Sequence, residues 1–173
     1  MPSYFIFGPS GSGKTTVGEV LKQKGYRVIE TDSEEGLSSW IDVKTGLKPS
    51  IIPAQPYPKE WLENHTWGWD TAKMNELLDS VGEEPVFFCG GASNDSDFYE
   101  QFDKIFGLHT NNEKLKTRLQ SREPQRWVDD SAELERMLRR NEEFKSNCIG
   151  SRVILVDSSS RPQNVADKIL GLI

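Results

Sequence analysis

Short hydrophobic runs alternate with longer amphipathic segments along this chain. The runs have the length of β-strands and most are rich in Phe, Val or Ile, which predicts strands at Tyr4–Phe7, Arg27–Glu30, Val86–Cys89, Lys104–His109 and Val153–Val156. The amphipathic segments predict helices at Lys14–Gln23, Asp70–Val81, Ser96–Gln101, Asn112–Arg122, Ala132–Cys148 and Pro162–Leu170. Such alternation is typical of βαβ units, so we predict an α/β fold with a parallel sheet, formed as one domain over residues 1–173.

One stretch interrupts this alternation. Residues 33–69 contain four prolines between Pro49 and Pro58 and four of the five tryptophans of the chain. A segment of this length without predicted strands or helices is uncommon inside a compact domain unless it has a function. We therefore predict that residues 33–69 form a binding segment.

The segment between the first predicted strand and the first predicted helix has the pattern G-x-x-x-x-G-K-[ST]. Its glycines allow successive backbone N–H groups to turn inward, and the helix N-terminus adds a partial positive charge, so together they form a cradle for phosphates. Lys14 is predicted to reach the β- and γ-phosphates, and Thr15 to offer its hydroxyl to Mg²⁺. The candidate nucleotide-binding residues are Gly8, Pro9, Ser10, Gly11, Ser12, Gly13, Lys14, Thr15 and Thr16.

With this loop, the chain resembles the small P-loop kinases, a family that includes shikimate, gluconate and adenylate kinases. The resemblance extends over the whole chain, although only the phosphate loop is specific by itself. It implies a three-layer fold with a five-stranded parallel sheet in the order 2-3-1-4-5, an acceptor-binding insertion after the second strand (residues 33–69) and a short lid (residues 123–131). GTPases are a poorer match, because no Asn-Lys-x-Asp motif follows a later strand.

The second strand ends in Glu30-Thr31-Asp32, which is similar to the Asp-x-Asp at the same place in shikimate kinases. A carboxylate there can orient an acceptor hydroxyl, accept its proton and hold Mg²⁺. We predict this role for Asp32, and either a catalytic or a merely solvated role for Glu30.

The third predicted strand lacks the acidic residue of a Walker B strand, so metal binding is assigned to Thr15 and Asp32. Gly90 and Gly91 resemble the glycines that approach the acceptor in shikimate kinases, although a tight turn is an equal alternative.

Arginines follow the fourth predicted strand. Arg118 and Arg122 lie four residues apart on one helix face, and the resemblance to adenylate kinases implies that Arg118 stacks on adenine and Arg122 contacts phosphates. Arg126 in the predicted lid is a candidate contact to the γ-phosphate. Three arginines of the next helix are alternatives between which the sequence does not choose: Arg136, Arg139 and Arg140.

Composition limits the kind of acceptor. Between Ser33 and Glu84 there is no arginine, the residue that commonly grips acceptor phosphates or carboxylates, whereas tryptophans and acidic residues are frequent. This favours a neutral or amine-bearing acceptor. The candidate acceptor-binding residues are Asp32, Trp40, Trp67, Trp69, Gly90 and Gly91.

The net charge and the length of the apolar runs limit the kinds of partner that we expect. The net charge of −6 disfavours a nucleic-acid partner, and no apolar run has the length of a membrane span. Met1–Phe7 lacks the features of a signal peptide, so we expect a cytoplasmic protein that binds a small molecule as a monomer or homodimer.

The predicted function is transfer of a phosphoryl group from ATP, with Mg²⁺, to a hydroxyl of a nucleoside, sugar or amino sugar. The predicted catalytic residues are Lys14, Asp32, Arg122 and Arg126. The alternatives are a nucleoside monophosphate kinase and a nucleotide-binding ATPase switch that acts through a protein partner.

Overall fold

A five-stranded parallel sheet forms the centre of the molecule. The computed structural model describes residues 2–54, 57–121 and 131–173, with residues 131–133 described in their backbone alone. The strands of the sheet are β1 (Ser3–Phe7), β2 (Arg27–Glu30), β5 (Val86–Cys89), β6 (Lys104–His109) and β7 (Val153–Asp157). Their spatial order is β2-β5-β1-β6-β7, which is the order 2-3-1-4-5 when only these strands are counted. The predicted α/β fold and sheet order are confirmed.

The described residues form six α-helices and one 3₁₀-helix between and after the strands. The α-helices are α1 (Lys14–Gln23), α2 (Lys59–Asn64), α3 (Thr71–Asp79), α4 (Asn112–Gln120), α5 (Ser131–Cys148) and α6 (Pro162–Leu170), and the 3₁₀-helix spans Asp95–Gln101. Helices α3 and α4 begin where side chains satisfy free backbone N–H groups: Asp70 accepts from the Lys73 N–H at 2.9 Å and Asn111 from the Lys114 N–H at 2.8 Å.

The sheet is covered on both faces, which explains the almost continuous hydrophobic sequence of its strands. Consecutive residues of β1 belong to two different clusters: Ile6 packs with residues of α1 and α6, and Phe5 packs with residues of α3 and with Trp69. Neighbouring strands divide in the same way, for example Phe87 and Phe88 of β5. The three layers are therefore helices, sheet and helices, as predicted.

Residues 33–69 contain regular structure that the sequence analysis did not predict. Strand β3 (Ser38–Asp42) pairs antiparallel with β4 (His65–Trp69), and α2 lies between them in the chain. Trp40 of β3 is directly opposite Trp67 of β4, with ring centroids 5.6 Å apart. We call this two-stranded unit with α2 the aromatic hairpin; it stands beside the carboxyl ends of the main strands, because β2 leads into it and the Ser93 N–H donates to the Trp67 carbonyl at 2.8 Å.

Candidate functional site

The phosphate loop connects β1 to α1, as predicted. Gly8 and Gly11 have positive φ angles of 154° and 86°. A Cβ atom on Gly8 would lie 2.4 Å from the Leu108 carbonyl oxygen, and one on Gly11 would lie 2.6 Å from Leu115 Cδ1. Both positions therefore require glycine for conformation and for space. The close approach seats the loop against β6 and α4.

A hollow of about 180 Å³ lies on this loop at the N-terminus of α1. Its lining residues are Ser10, Gly11, Gly13, Lys14, Thr15, Thr16 and Asp32. The Lys14 ammonium donates to the carbonyls of Gly8 at 2.8 Å and Pro9 at 3.2 Å, which holds it over the loop. Ser12 is fully buried, and its N–H donates to the Pro9 carbonyl at 3.1 Å, which tightens the turn. Positive charge, a helix N-terminus and turned backbone amides make this hollow suited to phosphate groups.

A second, larger cavity of about 900 Å³ opens beside the first. Its walls come from the end of β1, the phosphate loop, the aromatic hairpin, the segment after β5 and helix α5. The lining residues are Phe7, Gly8, Pro9, Ser10, Lys14, Asp32, Trp40, Tyr57, Thr66, Trp67, Gly91, Ala92, Ser93, Asp95, Met137, Arg140 and Phe144. Lys14 and Asp32 line both spaces, so a cationic and an anionic group lie where the phosphate hollow meets the larger cavity.

Asp32 lies two residues after the end of β2 and is exposed to both spaces. The Trp67 indole Nε1–H donates to its Oδ1 at 3.3 Å. Glu30, two residues earlier, faces the opposite way: its Oε1 is 3.5 Å from Lys22 Nζ, and a Cβ on Gly18 of α1 would lie 2.6 Å from it. Burial raises the pKa of Glu30, and Lys22 opposes this rise. Of the two predicted acids, Asp32 and not Glu30 lines the two cavities described above.

The tryptophans of the aromatic hairpin fall into two groups. Trp40 and Trp67 line the larger cavity, together with Tyr57. Trp61 lies behind Trp40 at 4.8 Å between ring centroids and stacks on His65 at 4.1 Å. The prediction that Trp69 contacts an acceptor is wrong, because Trp69 is 1% exposed and packs in the core against Phe5 and Phe98. Trp67 and Trp69 are two residues apart and therefore share a face of β4, so their position along the strand separates them: Trp69 lies at the strand end, where it packs against Phe5 of the main sheet.

Gly90 and Gly91 also differ in position. Gly91 lines the larger cavity, whereas Gly90 is buried and its N–H donates to the Ile6 carbonyl at 3.1 Å. The prediction that the Gly90 N–H approaches an acceptor is therefore wrong. A Cβ on Gly90 would lie 1.9 Å from Thr31 Oγ1 and 3.4 Å from Asp32 Oδ1, so the residue brings the ends of β5 and β2 together.

Arg118 is fixed at the back of the phosphate loop. Its guanidinium donates to the carbonyls of Gly11 and Ser12, both at 3.3 Å, and to the Ser158 carbonyl at 2.6 Å. Burial lowers the pKa of Arg118, and Asp157 opposes this effect. The Arg118 side chain thus joins the phosphate loop to the segment after β7. The guanidinium N–H groups that form these bonds are engaged by backbone carbonyls. Arg122, Arg126 and the predicted lid at 123–131, apart from Ser131 at the start of α5, lie outside the described residues, so their roles stay predictions.

Two charged residues of the larger cavity were not assigned from the sequence. Arg140 is the arginine that lines it, among the three of α5 considered as alternatives. Asp95, at the start of the 3₁₀-helix, was missed altogether. The signal that points to it is its place after β5, because ligands of α/β folds bind at the carboxyl ends of the strands.

In the part of the chain that the structure describes, no group of three or more His, Cys, Asp or Glu is arranged to hold a metal ion. Across the same residues, every helix is too short or too polar to cross a membrane.

The fold and the site were compared with known proteins. The chain is similar to a gluconokinase from Sinorhizobium meliloti 1021, with 21% identity, 98% of this chain and 90% of that chain covered, and a TM-score of 0.56. It is similar to a shikimate kinase from Acinetobacter baumannii in complex with shikimate, with 23% identity, 99% and 92% covered, and a TM-score of 0.58. A deoxyadenosine kinase from M. mycoides with bound dATP has 18% identity, 99% and 98% covered, and a TM-score of 0.57.

Comparison with the curated proteins gave no significant match. A family model described as an AAA domain matches residues 5–146, which include the phosphate loop, the aromatic hairpin and most of α5. The gluconokinase, the shikimate kinase and the deoxyadenosine kinase are small P-loop kinases, in agreement with the resemblance seen in the sequence. The chain therefore belongs to the AAA-domain family and has the fold of the small P-loop kinases.

Proposed function

We propose that this protein transfers the γ-phosphoryl group of ATP to a hydroxyl of a small neutral or amine-bearing molecule. The observation that carries the proposal is that Lys14 and Asp32 line both the phosphate hollow and the larger cavity. A phosphate donor in the first space and an acceptor in the second would meet between these two side chains. Phosphoryl transfer depends mainly on such positioning and on charge stabilisation.

The step follows from the roles of the two residues. The acceptor oxygen forms a bond to the γ-phosphorus while the bond from that phosphorus to the β–γ bridging oxygen breaks, and the bond's electron pair leaves with ADP. The hydroxyl proton passes to the Asp32 carboxylate. Lys14 neutralises charge on the oxygens of the group in transfer.

Thr15 and Asp32 both line the phosphate hollow, and their oxygens are of the kind that Mg²⁺ prefers, so these two residues would hold the ion. Mg²⁺ would there neutralise part of the phosphate charge. The purine is assigned to the region of Arg118 and residues 157–162, because Arg118 joins this segment to the phosphate loop. Arg122 and Arg126 remain predicted phosphate contacts.

A second candidate function has one observation in its favour. Arg140 lines the larger cavity and supplies a guanidinium group, which the segment between Ser33 and Glu84 lacks because it contains no arginine. A nucleoside monophosphate or another anionic acceptor would use such a cation. An ATPase switch that acts through a protein partner is distinguished from both kinases by turnover that no small acceptor changes.

The proposal is tested by ADP formation with neutral, cationic and anionic acceptors, in the parent protein and in Lys14→Met. We expect acceptor-stimulated turnover in the parent and a loss of about a hundredfold or more in Lys14→Met, since electrostatic stabilisation of the transferred group is worth about 3 to 4 kcal/mol in the barrier. Lys24→Met is the matched control, because Lys24 forms only a surface ion pair with Asp167 at 2.9 Å.

A folded Lys14→Met protein with parental turnover would contradict the proposal. The fold of each variant is checked by its thermal unfolding midpoint.

A further inference from the structure

Asp95 is the second carboxylate of the larger cavity. It lies after Gly91, Ala92 and Ser93, which line the same cavity. The Ala92 N–H donates to its Oδ2 at 3.4 Å, and the Tyr99 hydroxyl donates to the same carboxylate. These contacts fix the side chain at the wall that the cavity shares with the segment after β5.

No ion pair among the described residues involves Asp95. Burial is the main cause that raises its pKa, and the neighbouring Asp97 adds to the rise. The two cations that line the cavity, Lys14 and Arg140, form no ion pair with Asp95 among the described residues; Lys14 donates to the phosphate-loop carbonyls, and Arg140 lies on α5. A half-buried carboxylate without a cationic partner gains from a ligand that brings one.

The aromatic hairpin contributes a second feature that favours a cation. Trp40, Tyr57 and Trp67 line the cavity that contains Asp95. Their rings lie nearly perpendicular around Trp40, at 5.2 Å from Tyr57 and 5.6 Å from Trp67, with interplanar angles of 74° and 75°. Aromatic faces attract ammonium groups, and do so more strongly where water is excluded.

We propose that the acceptor carries a protonated amine, which binds between Asp95 and the aromatic hairpin while its hydroxyl faces Asp32. This inference rests on the proposed phosphotransfer and narrows its acceptor class from neutral or amine-bearing to cationic. Asp95 is then a specificity-determining residue, and Asp32 is the residue at the reacting oxygen.

The test uses matched acceptors that differ in one group: D-glucosamine against D-glucose, and 3-amino-1,2-propanediol against glycerol. Initial rates of ADP formation give kcat/KM for each. In every pair that is turned over, we expect the amine to be preferred by about tenfold or more, which corresponds to about 1.4 kcal/mol. In Asp95→Asn the ratio of amine to hydroxyl kcat/KM should fall about tenfold. Asp97→Asn, an exposed position of the same 3₁₀-helix, should keep the parental ratio.

The inference is overturned if the hydroxyl compound of a pair has the higher kcat/KM, or if Asp95→Asn keeps the parental ratio of amine to hydroxyl kcat/KM. Either result leaves the phosphotransfer proposal intact. If no pair is turned over, the same compounds are titrated against the fluorescence of the cavity tryptophans. An amine-selective change that is lost in Asp95→Asn supports the amine site although the proposed function has failed. An equal fluorescence change with the amine and the hydroxyl compound, or no change with either, overturns the inference.

Discussion

Within the part of the chain that the structure describes, one side-chain hydrogen bond orients Asp32, the bond from the Trp67 indole at 3.3 Å. This bond engages Oδ1 and connects the proposed catalytic group to a tryptophan of the acceptor cavity. A carboxylate held in this way keeps one oxygen directed to the hairpin and offers the other to a hydroxyl or a metal ion.

Asp32→Asn should keep measurable ATP affinity and lower kcat by about a hundredfold or more. Asparagine preserves the shape of the side chain but loses the proton acceptor and the charge that holds a metal ion. Steady-state kinetics with nucleotide-binding titrations measure both effects. Asp79→Asn, at an exposed position near the end of α3, is the control. Parental kcat in Asp32→Asn would show that Asp32 is only a turn residue.

Trp67→Phe should lower kcat about tenfold with a smaller change in KM. Phenylalanine keeps an aromatic ring but cannot donate to Asp32, and a hydrogen bond to a charged group is worth about 1.5 to 3 kcal/mol. Trp40→Phe provides the comparison, because Trp40 lines the same cavity and forms no side-chain contact with Asp32 among the described hydrogen bonds; its effect should appear in KM.

The same change measured in the Asp32→Asn background completes a double-mutant cycle. If Trp67 acts through Asp32, Trp67→Phe has little further effect on kcat there. Additive losses would mean that Trp67 acts independently of Asp32.

At the scale of elements, the phosphate loop and the main strands could be predicted because their signals are local. Helices α1 and α6 begin and end at the predicted residues, and β2, β5 and β6 have the predicted bounds. The loop needs glycines at fixed spacing between a strand and a helix, and a window of about fifteen residues contains that information.

The aromatic hairpin could not be predicted in the same way. Its strands are stabilised by pairing between residues that are far apart in the chain, such as Trp40 with Trp67 and Asp42 with His65. The prolines between the two strands favour an interpretation of the segment as an irregular loop. Each strand alone is too short to show the alternation of hydrophobic and polar residues that identifies a β-strand. For the same reason the sequence showed that tryptophans are concentrated here but not which of them face the cavity. Asp95 was missed because a carboxylate opening a short helix has the ordinary sequence of a cap.

Gly90→Ala should destabilise the protein by about 2 to 3 kcal/mol, or about 5 to 10 °C in Tm for a chain of this size. Gly90 has a φ of 153°, and a Cβ there would lie 1.9 Å from Thr31 Oγ1. Thermal unfolding followed by circular dichroism measures the effect. Gly82→Ala is the control, since a Cβ at Gly82 meets nothing within 4 Å. Equal midpoints for the two variants would contradict the contact of β5 with β2 at this point.

At the scale of the whole molecule, His109 is expected to make stability depend on pH. It lies at the end of β6, and burial is the main cause that lowers its pKa; Lys145 and Lys168 act in the same direction, whereas Asp157 and Glu142 oppose it. The unfolded chain therefore binds a proton at a higher pH, near the usual value of about 6.5, than the folded protein does. The free energy of unfolding should fall as pH drops through this value toward the folded pKa.

His109→Gln should reduce this dependence. We expect the difference in Tm between about pH 7.5 and about pH 5 to be smaller in His109→Gln than in the parent. Comparison of the two proteins cancels the contributions of buried carboxyls such as Asp95, whose raised pKa acts in the opposite direction. Equal differences in Tm would mean that His109 titrates alike in the folded and unfolded chain.

The central position of β1 has a consequence for how the protein folds. Ser3 pairs with Val86 and Tyr4 with Lys104, so both neighbours of the strand that leads into the phosphate loop arrive late in the chain. The loop itself is seated on Leu108 and Leu115 and joined to Arg118. Contacts over such separations require the closure of long loops of chain, which slows folding. We therefore expect this motif of eight adjacent residues to acquire its shape late in folding, and a nascent chain to bind phosphate only after α4 has been synthesised.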